Sequence, residues 1–161
     1  MIKRIIVEGP DCSGKSSVVE RVKNTLRWDS KSLHHLQGNQ FDRYLKEYSI
    51  NEKIVYDRSH FSEIVYSVLW RNGSPFSDEE TKCLGFISKK DTLIIFACPD
   101  LDTMKKRYKC RNYPQQIKFG ELEKSRNLFI NLFKEVPVLV YYSRNYEELD
   151  KLVDEVKRRV V

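Results

Sequence analysis

The 161-residue sequence predicts a single α/β domain spanning residues 1–161, with helices on both faces of a mostly parallel sheet of about five strands. Three observations carry this expectation. Short apolar runs alternate with longer amphipathic stretches along the chain. The most hydrophobic run, Thr92 to Cys98, has the unbroken apolar character of a strand buried on both faces, as a parallel sheet requires. No internal repeat, low-complexity tract or Pro/Gly/Ser linker divides the chain.

Ile2 to Glu8 is a β-branched run that stops at Gly9-Pro10, and from Lys15 the apolar residues Val18, Val19, Val22 and Leu26 return at helical spacing. A weaker second strand is expected over Ser32 to Gln37, and a helix over Gln40 to Tyr48. Lys53 to Tyr56 reads as a short strand directly before Asp57-Arg58. Phe61, Ile64, Val65, Val68 and Leu69 form one apolar face of a helix over Ser59 to Trp70, which Asn72-Gly73-Ser74-Pro75 ends. Ser77, with Glu80 three residues on, has the form of a capping box opening the next helix. After the Thr92 to Cys98 strand come a helix over 100–109, a polar loop around 110–118, a helix over 119–134, a strand over Val138 to Tyr142 and a terminal helix over 146–160.

Composition narrows the functional classes. With 40% hydrophobic and 32% charged residues and only 6 Gly and 5 Pro, the chain is neither collagen-like nor disordered. A net charge of +6 favours anionic partners, nucleotides or polynucleotides. Cys12, Cys83, Cys98 and Cys110 are widely spaced, without a C-x-x-C pair, so neither a zinc site nor a disulfide framework is expected; free thiols fit a reducing compartment. No apolar run can cross about 30 Å of hydrocarbon, and Met1 leads straight into a strand without a secretory h-region, so a cytoplasmic location and no membrane partner are expected.

The strongest motif is Gly9-Pro10-Asp11-Cys12-Ser13-Gly14-Lys15-Ser16, which satisfies G-x-x-x-x-G-K-[ST] between a predicted strand and a predicted helix. The glycines let the backbone turn around an anion and aim its N–H groups at phosphate. Lys15 reaches the β- and γ-phosphates, and the Ser16 hydroxyl can ligate Mg²⁺. The expected ATP site is therefore Gly9, Asp11, Cys12, Ser13, Gly14, Lys15, Ser16 and Ser17. Asp57-Arg58-Ser59-His60-Phe61-Ser62, at the end of the third predicted strand, is the second constellation. The planar fork of Arg58 suits a phosphate bidentately, and Asp57 either takes a proton from an attacking hydroxyl or organises the metal.

The segment from Ile6 to Ser17 resembles the E-G-x-D-G-x-G-K-[ST]-[ST] opening of the thymidylate kinase family, with Cys12 where that family has Gly. Asp57-Arg58-Ser59 resembles its D-R-[YS] motif and the E-R-S motif of the deoxynucleoside kinases. The resemblance implies a P-loop kinase fold and phosphoryl transfer from Mg·ATP to a deoxynucleoside monophosphate, dTMP or a related pyrimidine nucleotide. It also implies that Asp11 lies near the acceptor 3′-hydroxyl, that Arg58 grips the acceptor phosphate, and that Phe61 and Tyr66 serve the acceptor site. Arg58 and Tyr66 are expected on one helical face.

From Lys105 to Lys118 the chain carries Lys105, Lys106, Arg107, Lys109, Arg111 and Lys118 and no acid. Arg107 and Arg111 resemble the lid arginines of these kinases, which bring positive charge onto the transferring phosphoryl group, and four-residue spacing puts them on one face of a continuing helix. The expected catalytic set is Lys15, Asp57, Arg107 and Arg111, with Ser16 and Asp57 at the metal. The chain is shorter than typical members, as suits a phage- or prophage-encoded enzyme, and the resemblance makes a homodimer possible. Two alternatives stand beside this reading: a kinase for a hydroxyl acceptor, either a free deoxynucleoside or a hydroxymethylated pyrimidine in DNA, and a nucleotide-binding module without turnover.

Overall fold

The computed structural model describes residues 1–112 and 116–160. Its core is one parallel five-stranded sheet in the order β2-β3-β1-β4-β5. The strands are β1 (Arg4–Glu8), β2 (Asp29–Ser32), β3 (Ile54–Asp57), β4 (Thr92–Ala97) and β5 (Leu139–Tyr141). The helices are α1 (Lys15–Leu26), α2 (Gln40–Tyr48), α3 (His60–Trp70), α4 (Asp78–Lys89), α5 (Leu101–Lys109), α6 (Leu122–Leu132) and α7 (Tyr146–Val160). The central strands β1, β3 and β4 carry unbroken apolar runs, Ile5 to Val7, Ile54 to Tyr56 and Leu93 to Ala97, because each is covered on both faces.

Two cores result. On one face, Val18, Val19 and Val22 of α1 and Leu149, Leu152, Val153 and Val156 of α7 pack on Ile5, Val7, Val55 and Ile95. On the other, an aromatic cluster that includes Tyr44, Tyr48, Phe61, Phe96, Phe129 and Phe133 packs α2, α3 and α6 on Ile6, Tyr56 and Ile94. The end of the sheet opposite the phosphate loop is tied by Arg4, which donates to the carbonyls of Tyr48 and, at 2.5 Å, Lys90, where α2 and α4 end. The capping box at Ser77 forms as expected, with Ser77 and Glu80 exchanging bonds of 3.2 and 2.9 Å.

The second strand and the helix over 119–134 differ from the sequence pattern. The second strand is Asp29–Ser32 rather than 32–37. Its residues are polar and exposed, and it is held by main-chain pairing, Asp29 beside Ile54 through Ser32 beside Asp57, which leaves no periodic signal. Leu33 to Gln37 instead leave the sheet, so His34 and His35 lie in a loop. The expected helix over 119–134 is a 3₁₀ turn at Phe119–Glu121 followed by α6. The helix over 100–109 is found as α5, which ends at Lys109 with Cys110 as its C-cap, so it does not continue and Arg111 does not share a helix face with Arg107. Of the basic segment 105–118, residues 113–115 lie outside the described ones.

Candidate active site

The loop between β1 and α1 is shaped by backbone more than by side chains. Gly9 has φ +147°, and a Cβ there would stand 2.3 Å from the Ala97 carbonyl oxygen of β4. Gly14, at φ +91°, would drive a Cβ to 2.8 Å from Ser143 Oγ. Both positions therefore require glycine. No side chain caps the N-terminus of α1, and its first turn carries no acid, so its leading N–H groups face the cleft with the helix dipole behind them. Lys15 is 6% exposed and donates to the Pro10 carbonyl at 2.7 Å. Burial, and then the Arg58 charge, lower its pKa to about 8.

At the end of β3, three side chains interlock. Arg58 donates to Asp11 Oδ1 at 2.6 Å, and its guanidinium lies 5.1 Å from the centre of the Tyr66 ring. Tyr66 donates to Asp11 Oδ2 at 3.1 Å and accepts from the Asp11 backbone N–H at 3.2 Å. Burial pushes the Asp11 carboxyl up, but the Arg58 and Lys15 charges and the bonds from Arg58 and Tyr66 outweigh it and hold the group below its ordinary range. Arg58 is not on the helix: its φ is +74°, and Ser59 caps α3 after it. The expected shared face with Tyr66 is replaced by a kinked entry that folds the guanidinium back over the ring.

Glu8 holds this entry in place. It is fully buried, accepting from Ser59 Oγ at 2.6 Å and from Ser62 N at 3.2 Å through Oε1, and from Ser62 Oγ at 2.5 Å through Oε2. Burial raises its pKa despite those bonds. Cys12, Arg58 and Ser143 are among six non-glycine residues with positive φ in the described chain. All three line or border the same cleft, so backbone strain gathers at the site.

Two clefts flank the Asp11–Arg58 pair. The first, about 700 Å³, is lined by the phosphate loop, Asp57, Arg107, Cys110, Arg111 and the segment Tyr141 to Tyr146. The second, about 460 Å³, is lined by Leu33, His34, His35, Ser62, Glu63, Tyr66, Trp70 and Arg71. Asp11 and Arg58 line both. In the first cleft Arg107 bridges the walls, donating to the Cys12 carbonyl at 3.3 Å, the Ser143 carbonyl at 2.9 Å and Ser143 Oγ at 2.8 Å. Burial pushes the Cys12 thiol pKa up, opposing thiolate formation. Asp57 Oδ1 is buried there without a hydrogen-bond partner among the described residues.

The sequence-predicted residues Asp11, Cys12, Gly14, Lys15, Ser16, Ser17, Asp57, Arg58, Arg107 and Arg111 thus meet around one cleft, and Gly9 and Ser13 shape its loop. Phe61 does not join them. It is 5% exposed and packs on His60 at 4.0 Å and Phe133 at 5.1 Å, because the apolar stripe of α3 turns it into the core and away from both clefts. The sequence reading missed Glu8, Ser62, Glu63, Arg71 and Ser143. Only Glu8, the acid preceding Gly9 in the loop motif, carried a local signal.

No family model matches the chain. A curated protein, the SPbeta prophage-derived uncharacterized protein YorR of Bacillus subtilis (strain 168), is 22% identical over 112 residues, covering 66% of this chain and 68% of that protein. The crystal structure of YorR in complex with phosphorylated GDP superposes with a TM-score of 0.81 at 18% identity, covering 98% of this chain and 95% of that one. Deoxyadenosine kinase from M. mycoides with the products dCMP and dCDP bound gives a TM-score of 0.65 at 14% identity, covering 96% and 98%. A gluconokinase from Sinorhizobium meliloti 1021 gives 0.59 at 14% identity, covering 98% and 97%. The chain has the fold of P-loop kinases; these likenesses do not single out the thymidylate kinases among them.

Proposed function

We propose that the chain is a nucleoside monophosphate kinase that moves the γ-phosphoryl group of ATP onto the phosphate of a deoxynucleoside monophosphate, giving the diphosphate. The motif resemblance implies a pyrimidine nucleotide, dTMP or a related one, and leaves the choice of base to the acceptor cleft. The observation that carries this reading is the Asp11–Arg58 pair, 2.6 Å apart and common to both clefts. An acceptor phosphate held by Arg58 would lie beside a donor phosphate held by the loop. In the transfer, an acceptor oxygen bonds to the γ-phosphorus while the bond from that phosphorus to the ADP oxygen breaks. An anionic acceptor needs no strong base, which suits an Asp11 held in its ionised form. That YorR is described with phosphorylated GDP, and the deoxyadenosine kinase with dCMP and dCDP, supports nucleotides as ligands here too.

Lys15 and the leading N–H groups of α1 would hold the donor phosphates, and Arg107 and Arg111 would stabilise charge on the equatorial oxygens. The orphaned Asp57 Oδ1, in a cleft that Ser16 also lines, fits a Mg²⁺ ion that arrives with ATP. Ser16 would ligate that ion and Asp57 would hold its water; the ion, when bound, supplies charge neutralisation. No cluster of three or more His, Cys, Asp or Glu that could hold a metal occurs among the described residues, which suits an ion held mainly by phosphate.

The same unpartnered oxygen favours a second reading, in which Asp57 is the general base for a hydroxyl acceptor. Incubation with Mg·ATP and a panel of deoxynucleoside monophosphates, deoxynucleosides and a hydroxymethylated oligonucleotide, followed by chromatography, separates the two. A new diphosphate supports the first. Phosphate gained only by a nucleoside or the oligonucleotide replaces it with the second, and nucleotide binding without product reduces the protein to a binding module.

A further inference from the structure

We infer that Glu63 and Arg71 read the edge of the acceptor base, and that they select bases carrying an exocyclic amino group, cytosine rather than thymine or uracil among the pyrimidines. The inference rests on the reading of the smaller cleft as the acceptor site.

Glu63, Ser67 and Arg71 recur every four residues along α3 and its C-cap, so they share one face. Glu63 is 4% exposed and lines the cleft, with Arg71 beside it. Three donors converge on a single oxygen of that carboxylate. Arg71 Nη2 reaches Oε1 at 2.5 Å, His35 Nδ1 at 2.8 Å and Ser67 Oγ at 3.4 Å. Oε2 therefore has no donor among the described residues. Arg71 spends Nη2 on Glu63 and Ser67 and Nε on Ser67, which leaves Nη1 without an acceptor among them. A buried carboxylate and the more exposed guanidinium paired with it thus offer one unused acceptor beside one unused donor. Next to it, Tyr66 and Trp70 stack at 4.8 Å and 25° and also line the cleft, giving a flat wall for a planar ring. Neither the phosphate chemistry nor the packing of α3 requires a carboxylate at position 63. Burying one is costly unless its lone pairs are used.

The choice among bases follows from hydrogen-bond polarity. A carboxylate only accepts. The 4-amino group of cytosine donates to it while N3 accepts from a guanidinium, one ring acceptor against one protein donor; the 6-amino group and N1 of adenine repeat the pattern. Uracil and thymine present N3–H between two carbonyl oxygens. When N3–H meets the carboxylate and one carbonyl meets Arg71, the second carbonyl is left against the negative charge. A site whose polar groups are matched in one base and opposed in the other discriminates strongly.

The test uses dCMP and dUMP, which differ only at this edge, with purified wild type and Glu63→Gln. We expect dCMP to exceed dUMP in kcat/KM by about tenfold or more, and to bind more tightly by a similar factor in calorimetry with a non-hydrolysable ATP analogue present. In E63Q, whose amide also donates, the ratio falls towards one or inverts. Equal or better use of dUMP by wild type overturns the inference and leaves the kinase reading intact. A ratio unchanged by E63Q also overturns it. If only nucleosides are phosphorylated, the monophosphate reading fails and the deoxycytidine-to-deoxyuridine ratio tests the base reading separately. Should nothing turn over, the two dissociation constants decide: equal affinities, or binding of neither nucleotide, overturn the inference.

Discussion

The two clefts on either side of the Asp11–Arg58 pair are built by different means. The donor side is largely backbone: a glycine turn pressed against Ala97, a helix N-terminus without a side-chain cap, and one buried lysine. Its phosphate-holding loop is a contiguous run of eight residues, Gly9 to Ser16. The acceptor side is a side-chain lattice drawn from three distant segments, Asp11, His35, and the run through α3 that carries Arg58, Glu63, Tyr66 and Arg71. A backbone site tolerates side-chain change at positions that contribute only their N–H, which is how a cysteine stands at position 12 with φ +65°. A side-chain lattice has no such tolerance, because removing one member leaves a buried partner uncompensated.

The sharpest way to break this contrast is Lys15→Ala, a donor-side change expected to be severe. It should lower kcat/KM about a thousandfold while the thermal unfolding midpoint moves by only a few degrees, since a lysine with a depressed pKa contributes little to folding. Next, Arg58→Ala should lower kcat/KM for the best monophosphate about a hundredfold and leave ATP affinity within a few fold, as steady-state kinetics and calorimetry would reveal. Arg58→Lys should not restore activity, because a point charge cannot replace the fork over Tyr66. An equal loss of ATP affinity would mean that Arg58 serves the donor.

The pH dependence of ATP binding sharpens the donor side further. Unliganded Lys15 loses its proton near pH 8, and bound phosphate raises that value, so binding takes up a proton above pH 8. Affinity is at full strength below pH 8 and should fall by up to about tenfold per unit above it until the bound-state pKa is reached. Lys15→Arg should flatten the profile. The smallest effect belongs to Cys12→Gly, which relieves a left-handed non-glycine residue. It should raise stability by at most about 1 kcal/mol and change turnover by less than about threefold, measured by denaturation and initial rates. A large loss of activity would give the Cys12 side chain a role that the backbone account does not.

The fold was legible where burial is two-sided or helical spacing is regular. The helix at Gln40 to Tyr48 falls where its pattern puts it, and the apolar strands agree to within two residues. It was illegible at β2, whose Asp-Ser-Lys-Ser is held by an edge ladder that no side-chain periodicity records. Phe61 shows the converse: proximity to a motif suggested substrate, and the helical stripe that places it in the core was the better guide.

By itself, then, the sequence determined the alternation of strands and helices, the anion loop and the presence of an arginine at the end of β3, because each depends on neighbours within a few turns of chain. Only the tertiary structure decided which residues meet across the sheet. It paired Asp11 with Arg58 over 47 positions, placed Ser59 and Ser62 on Glu8, and brought His35 and Arg71 to one oxygen of Glu63. Those contacts follow from strand order and from the kinked entry to α3, both products of packing summed over the whole domain, and no local run of residues carries that sum.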